Sequence, residues 1–245
     1  MTLLPNILYN VACRKKKQKR DLLGLTVGPI SRVQIRSERD LPNCATANTV
    51  CSILQKRYWI PSILNRYCRC PEGVDCPADW TGPDDLTVSN VTSLVRVIKG
   101  PAYSLPLNNR AQMKFCASMK GIETCAPNQS AVNIRINGSS QAQTTSQFPS
   151  TRVLCKCPSN HTWQQSSVTG DENTSPTTTT SSYTCKPLKR CRLRASCGAI
   201  TTDTFSVYPY CLCRRGSVCT IENRTQTHVE ELHYSGPAYL GVCKP

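Results

Sequence analysis

Aromatic side chains are scarce in this chain, at 6% of residues, and hydrophobic residues of all kinds reach only 39%. That is thin for one continuous core in a protein of 245 residues, so apolar burial alone is not expected to hold the fold. Acidic residues are also few, 15 against 30 Lys and Arg, which leaves a formal charge of +15. No run of 18 apolar residues occurs, which excludes a spanning helix. There is no nucleophile elbow, no phosphate-cradling glycine loop and no HExxH helix, so neither catalysis nor a cofactor is expected. The nearest approach to a metal motif, His228-Val-Glu-Glu-Leu-His233, spaces its histidines by five, which would set the rings on different faces of a helix.

Cysteine is what the chain has in abundance. Of 17 cysteines, 16 lie between Cys44 and Cys243. Structural zinc sites favour cysteines two to four residues apart, whereas the close pairs here, Cys68/Cys70, Cys155/Cys157 and Cys211/Cys213, enclose a single residue. Disulfides are the better account, and they place the protein in an oxidising, extracellular compartment. Six Asn-x-Ser/Thr acceptors, at Asn90, Asn128, Asn137, Asn160, Asn173 and Asn223, agree with secretion.

Aligning the chain with itself gives its architecture. Cys44, Cys51, Cys68, Cys70, Cys76 and Cys116 recur in order as Cys191, Cys197, Cys211, Cys213, Cys219 and Cys243. Tyr67-Cys-Arg-Cys70 faces Tyr210-Cys-Leu-Cys213, and Gly73 answers Gly216, where a tight turn calls for positive φ. The tetrapeptide Gly100-Pro-Ala-Tyr103 also returns as Gly236-Pro-Ala-Tyr239. Asn109-Arg-Ala-Gln112 resembles Asn223-Arg-Thr-Gln226 but lies on the other side of that tetrapeptide, so at least one of the two likenesses is accidental or shifted.

A middle unit has four cysteines, Cys125, Cys155, Cys157 and Cys185, and lacks the second and fifth. Two positions missing together suggest that they bond to each other where present, as Cys51 to Cys76 and Cys197 to Cys219. The four shared positions then leave two pairings open, in which the first cysteine takes either sulfur of the CxC and the last takes the other. Cys13 is left free or intermolecular.

The expected fold is mainly β with little helix: three small disulfide-rich β-finger modules in tandem, over 44–118, 119–187 and 188–245. Alternation marks strands at Val132, Ile134 and Ile136, at Val153, Cys155 and Cys157, and at Met113 and Phe115. Between 158 and 184, 14 of 27 residues are Ser or Thr, which reads as a flexible insertion within the middle module, open to O-glycosylation. Residues 1–43 read as a disordered basic leader. Their order, weakly apolar and then Arg14-Lys-Lys-Lys-Gln-Lys-Arg20, is not that of a signal peptide and suggests a truncated start or processing after Arg20.

The basic clusters point to acidic proteins or sulfated glycans such as heparan sulfate as partners, not to nucleic acid or membrane insertion. The candidate glycan-binding residues are Lys186, Lys189, Arg190, Arg192 and Arg194, around Cys191. The run Tyr-Cys-Arg-Cys-Pro-Glu-Gly at 67–73, Cys76, and Gln112-Met-Lys-Phe-Cys116 resemble secreted cysteine-rich growth-factor antagonists of the giant-lens (Argos) type, and modules of similar appearance occur in centipede venom proteins. The resemblance covers roughly 40–245. It implies three β-finger modules that clamp an epidermal-growth-factor-like ligand, and so a developmental role in receptor tyrosine kinase signalling. It carries over no ligand-contact residue. The alternative is a venom-type toxin or inhibitor of a channel or protease.

Overall fold

The computed structural model describes residues 38–81, 101–137, 149–171, 178–192 and 194–245. Among them there is no α-helix; twelve strands form three four-stranded antiparallel sheets. The first sheet holds β1 (Val50–Gln55), β2 (Ile63–Arg66), β3 (Ser104–Pro106) and β4 (Ala111–Phe115). The second holds β5 (Ser130–Asn137), β6 (Ser150–Val153), β7 (His161–Asp171) and β8 (Thr178–Pro187). The third holds β9 (Ser196–Thr201), β10 (Val207–Pro209), β11 (Val218–Glu231) and β12 (Tyr234–Lys244). Each runs second, first, fourth, third in space, so the repeat read in the cysteines is a repeat of topology.

The same knot closes one end of every sheet. The residue before the first cysteine bridges the residue inside the CxC, in the pairs Asn43/Arg69, Thr124/Lys156 and Arg190/Leu212. The first cysteine bonds to the first of the CxC, in Cys44–Cys68, Cys125–Cys155 and Cys191–Cys211. The second of the CxC bonds to the last cysteine, in Cys70–Cys116, Cys157–Cys185 and Cys213–Cys243. Modules 1 and 3 add Cys51–Cys76 and Cys197–Cys219. In each sheet the ladder skips one residue of the first strand, at Cys51, Ala131 and Cys197. A β-bulge re-aims its extra residue, and here that residue is the one that meets the fifth-cysteine position.

In the middle module Ala131 occupies the second-cysteine position. The fifth falls six residues past the CxC, at Trp163, which pairs with Cys185 as Cys219 pairs with Cys243. Trp163 packs against the buried cluster of Cys125, Ala131 and Cys155. A large indole over a small methyl thus fills the place of the absent bridge, which is the large-against-small complementarity that close packing demands.

The turn after the CxC is shared too. Gly73 and Gly216 stand at φ 70° and 84°, and Asn160 takes the same place in the middle module at 58°. Asn tolerates the left-handed region better than other side chains. The tetrapeptide likeness does not survive alignment on the last cysteine. Gly236-Pro-Ala-Tyr239 then overlies Asn109-Arg-Ala-Gln112, since Tyr239 pairs with Ile200 as Gln112 pairs with Leu54.

Two expectations need correction. The Ser/Thr-rich insertion is in large part a hairpin, with β7 and β8 paired from His161/Pro187 to Asp171/Thr178, and residues 172–177 lie outside the described ones. Threonine's β-branch suits a pleated surface, and the ladder satisfies backbone groups that loose chain would leave to water. The basic leader is not loose as far as residue 43. Leu41 is buried, Arg69 donates from Nε to its carbonyl at 2.9 Å, and Glu38 pairs with Arg66 at 2.9 Å. Residues 1–37, with Cys13 and the run at 14–20, lie outside the described ones.

The three modules share apolar interior. One cluster draws Val50, Ile53, Met113 and Phe115 from module 1, Val132, Ile134 and Val153 from module 2, and Leu232 from module 3. The edge strand β6 continues the seam, where Val153 donates to the carbonyl of Asn48 at 3.0 Å and Asn48 Nδ2 returns a bond at 2.6 Å. A composition too thin for one large core is therefore spread over three knots and one shared junction.

Candidate functional site

The β11–β12 hairpin joins module 3 to the other two. Its turn is the two residues Leu232 and His233, between the paired Glu231 and Tyr234. Leu232 is 1% exposed in the shared core, and its carbonyl accepts a hydrogen bond from the buried Tyr208 hydroxyl at 3.2 Å. His233 stands at φ 61°, with its ring 5.5 Å from that of Tyr67 in module 1 and Nε2 3.1 Å from Thr151 Oγ1 in module 2. Its Nδ1 is sealed from solvent without a hydrogen-bond partner, and burial pulls its pKa down to about 4. Burial also raises the pKa values of Glu231, Tyr183 and Tyr67, the groups around it. His228, the other half of the metal-like motif, lies on β11 and meets Ser235 Oγ at 3.2 Å, so the pair occupies a strand and its turn, not a helix.

At the sheet ends away from the knots, two equivalent turns meet. The β1–β2 turn carries Tyr58, Trp59 and Ile60, exposed by 47%, 98% and 54%; the β9–β10 turn carries Phe205, exposed by 41%. Tyr58 and Phe205 pack edge to face with centroids 6.0 Å apart, and Trp59 lies 5.4 Å from Tyr58. Val207 donates its N–H to Asn109 Oδ1 at 2.7 Å, fixing the two modules in register. The Arg110 guanidinium lies 3.4 Å over the Tyr58 ring, and Lys56 lies 4.2 Å over Trp80. Trp59 and Phe205 both have left-handed backbone, at φ 55° and 54°. For side chains of that size this costs about 1–2 kcal/mol each. Trp59, 98% exposed, regains none of it by burial, which marks its turn as shaped for display.

Sequence reasoning missed this tip. The available signal was the run Tyr58-Trp59-Ile60 directly before Pro61, where proline ends regular structure in a chain poor in aromatics.

The predicted glycan-binding residues Lys186, Lys189, Arg190, Arg192 and Arg194 are all exposed, beside the module 3 knot with Arg214 and Arg215. Arg190 spends one guanidinium N–H on the carbonyl of Cys213 at 3.1 Å. Of the acceptor asparagines, Asn128, Asn160 and Asn223 are exposed, Asn137 ends β5, and Asn90 and Asn173 lie outside the described residues. Asn223 Oδ1 accepts the N–H of Thr225 at 3.0 Å, a turn that leaves its acceptor sequence on the surface. Three sets of sulfurs, two in module 1 and one in module 3, including those of Cys44, Cys70 and Cys116, lie within 4.8 Å of one another because disulfides neighbour each other in those knots.

The fold defines a class: tandem four-stranded β modules, each closed by the same cysteine knot and joined through a common interior. No family model matches the chain, and no curated protein is significantly similar to it. Among solved structures, the crystal structure of unliganded Argos is similar at 19% identity and a TM-score of 0.48. The alignment covers 85% of this chain and 95% of that one.

Proposed function

We propose that this is a secreted binding protein that sequesters an epidermal-growth-factor-like ligand and so keeps it from its receptor tyrosine kinase. What supports this reading is the joining of three modules into one body through Leu232 and the shared core. Contacts that are weak singly gain effective concentration when rigidly linked, and a preformed surface loses less entropy on binding than a flexible one. The giant-lens resemblance at 67–76 and 112–116 supplies the ligand class. Eight disulfides and the sequons favour an extracellular setting. No helix among the described residues is long and apolar enough to cross a membrane. The exposed bases at 186–194 add a second partner, a sulfated glycan such as heparan sulfate.

Titration calorimetry of the oxidised chain with epidermal-growth-factor-like domains checks the first reading. The expected result is saturation at one to one with the ligand and no binding to the receptor ectodomain. Binding to the receptor defeats it, and binding only to a channel or protease favours the toxin alternative.

A further inference from the structure

We infer that the aromatic tip shared by modules 1 and 3 is the anchor at which an acidic, folded protein ligand docks; this rests on the sequestration reading above. Protein-binding hot spots are enriched in Trp, Tyr and Arg and sit on rigid, apolar surface with a polar rim. The tip has that composition in Trp59, Tyr58 and Arg110, with Ile60 and Phe205 completing the apolar part. It is preorganised: two left-handed turns, the Tyr58–Phe205 contact, the Asn109–Val207 hydrogen bond and the Arg57 Nε bond to the Pro61 carbonyl at 2.8 Å hold it before any partner arrives. Tyr58 and Phe205 come from different modules, so the surface exists only when modules 1 and 3 are docked.

Charge selects the partner. Lys56, Arg57 and Arg110 surround the rings, and the one acidic side chain described in these two turns, Asp203, accepts from Thr204 N at 2.7 Å. A guanidinium stacked on a ring keeps its N–H edge directed outward, suited to carboxylates. An anionic bilayer would also attract bases and aromatics. Only Trp59, however, is nearly fully exposed, while Tyr58 and Phe205 are packed together as a platform, which suits a protein surface better than insertion among lipids.

The test uses the full oxidised chain and its Trp59→Asn and Phe205→Asn variants, since Asn tolerates the left-handed backbone and preserves the turns. Val218→Ser removes an apolar side chain that is 63% exposed outside the tip and serves as control. Each is titrated with an acidic epidermal-growth-factor-like domain and sedimented with phosphatidylserine vesicles. Loss of at least about 30-fold in affinity in both tip variants, with the control unchanged, is expected for hot-spot residues. Wild-type affinity in the tip variants would overturn the anchor while leaving sequestration standing. No saturable binding by the wild-type chain would overturn both. Vesicle binding that the tip variants lose, with ligand affinity kept, would replace the protein anchor by a lipid-facing one.

Discussion

At the scale of single residues, the exchange of a disulfide for a packed pair is the most instructive feature. Cys51–Cys76, Cys197–Cys219 and the pair Ala131 with Trp163 are three solutions to one position, where a bulge turns the first strand's extra residue towards the fifth-cysteine position of the same module. The backbone around them is alike: the N–H groups of Tyr67, Leu154 and Tyr210 all donate to the carbonyl of that bulged residue, at 2.8–2.9 Å. The middle module should therefore accept the bridge it lacks. Double replacement Ala131→Cys and Trp163→Cys is expected to form a ninth disulfide, found by peptide mapping of the non-reduced protein as a 131–163 cross-link with the other eight unchanged. Exchange of either new thiol with Cys155 or Cys157 would show that the position is not equivalent. The joint absence of two cysteines was legible from spacing alone; the indole that replaced them was not, because one tryptophan in a polar run has no periodicity to reveal its face.

At the scale of elements, the β11–β12 hairpin decides how module 3 sits on the others, and its turn carries an ionisable ring. His233 docks neutral, with a pKa of about 4 against 6.5 when free. Acid therefore protonates the undocked state first. The hairpin's stabilisation is complete above about pH 6.5 and is lost as pH falls towards 4, by about 2 kcal/mol at pH 5. Glu231, whose pKa burial raises, works in the opposite sense, since acid relieves the cost of its buried charge; Glu230, Tyr67, Tyr183 and Tyr234 complete the ionisable surroundings. Chemical denaturation at pH 7.5 and 5.0 should show a larger loss of stability in the wild type than in His233→Asn, which keeps the left-handed turn and removes the titration. Equal losses would show that His233 does not carry the acid response. Sequence reading took this histidine as half of a failed metal motif, and took 158–184 as loose chain. The misreading of 158–184 has a physical cause: hairpin pairing is non-local, so a polar strand such as β7, exposed along most of its length, shows little alternation in sequence.

At the scale of the molecule, the sheets have polarity. In modules 1 and 3 the knot closes one end of the sheet and the β1–β2 or β9–β10 turn the other, about 20 Å apart by the rise of a six-residue strand. The aromatic tip is at the turn end of modules 1 and 3, while Lys189, Arg190, Arg192 and Arg194 surround the module 3 knot and Lys186 follows Cys185. A sulfated chain held at the knot end would leave the tip open, so glycan and protein ligand are expected to bind together and not in competition. Several exposed cations meeting repeated sulfates make such binding steeply dependent on salt. Neutralising Lys186, Lys189, Arg190, Arg192 and Arg194 to Gln should lower the salt needed to elute the protein from heparin, and should leave affinity for the protein ligand within about threefold of wild type, the range of remote surface changes. Unchanged elution would make these residues ordinary solvated charge. A parallel fall in ligand affinity would mean instead that the ligand reaches across both ends of the sheet, and that the knot face belongs to the same binding surface as Trp59 and Phe205.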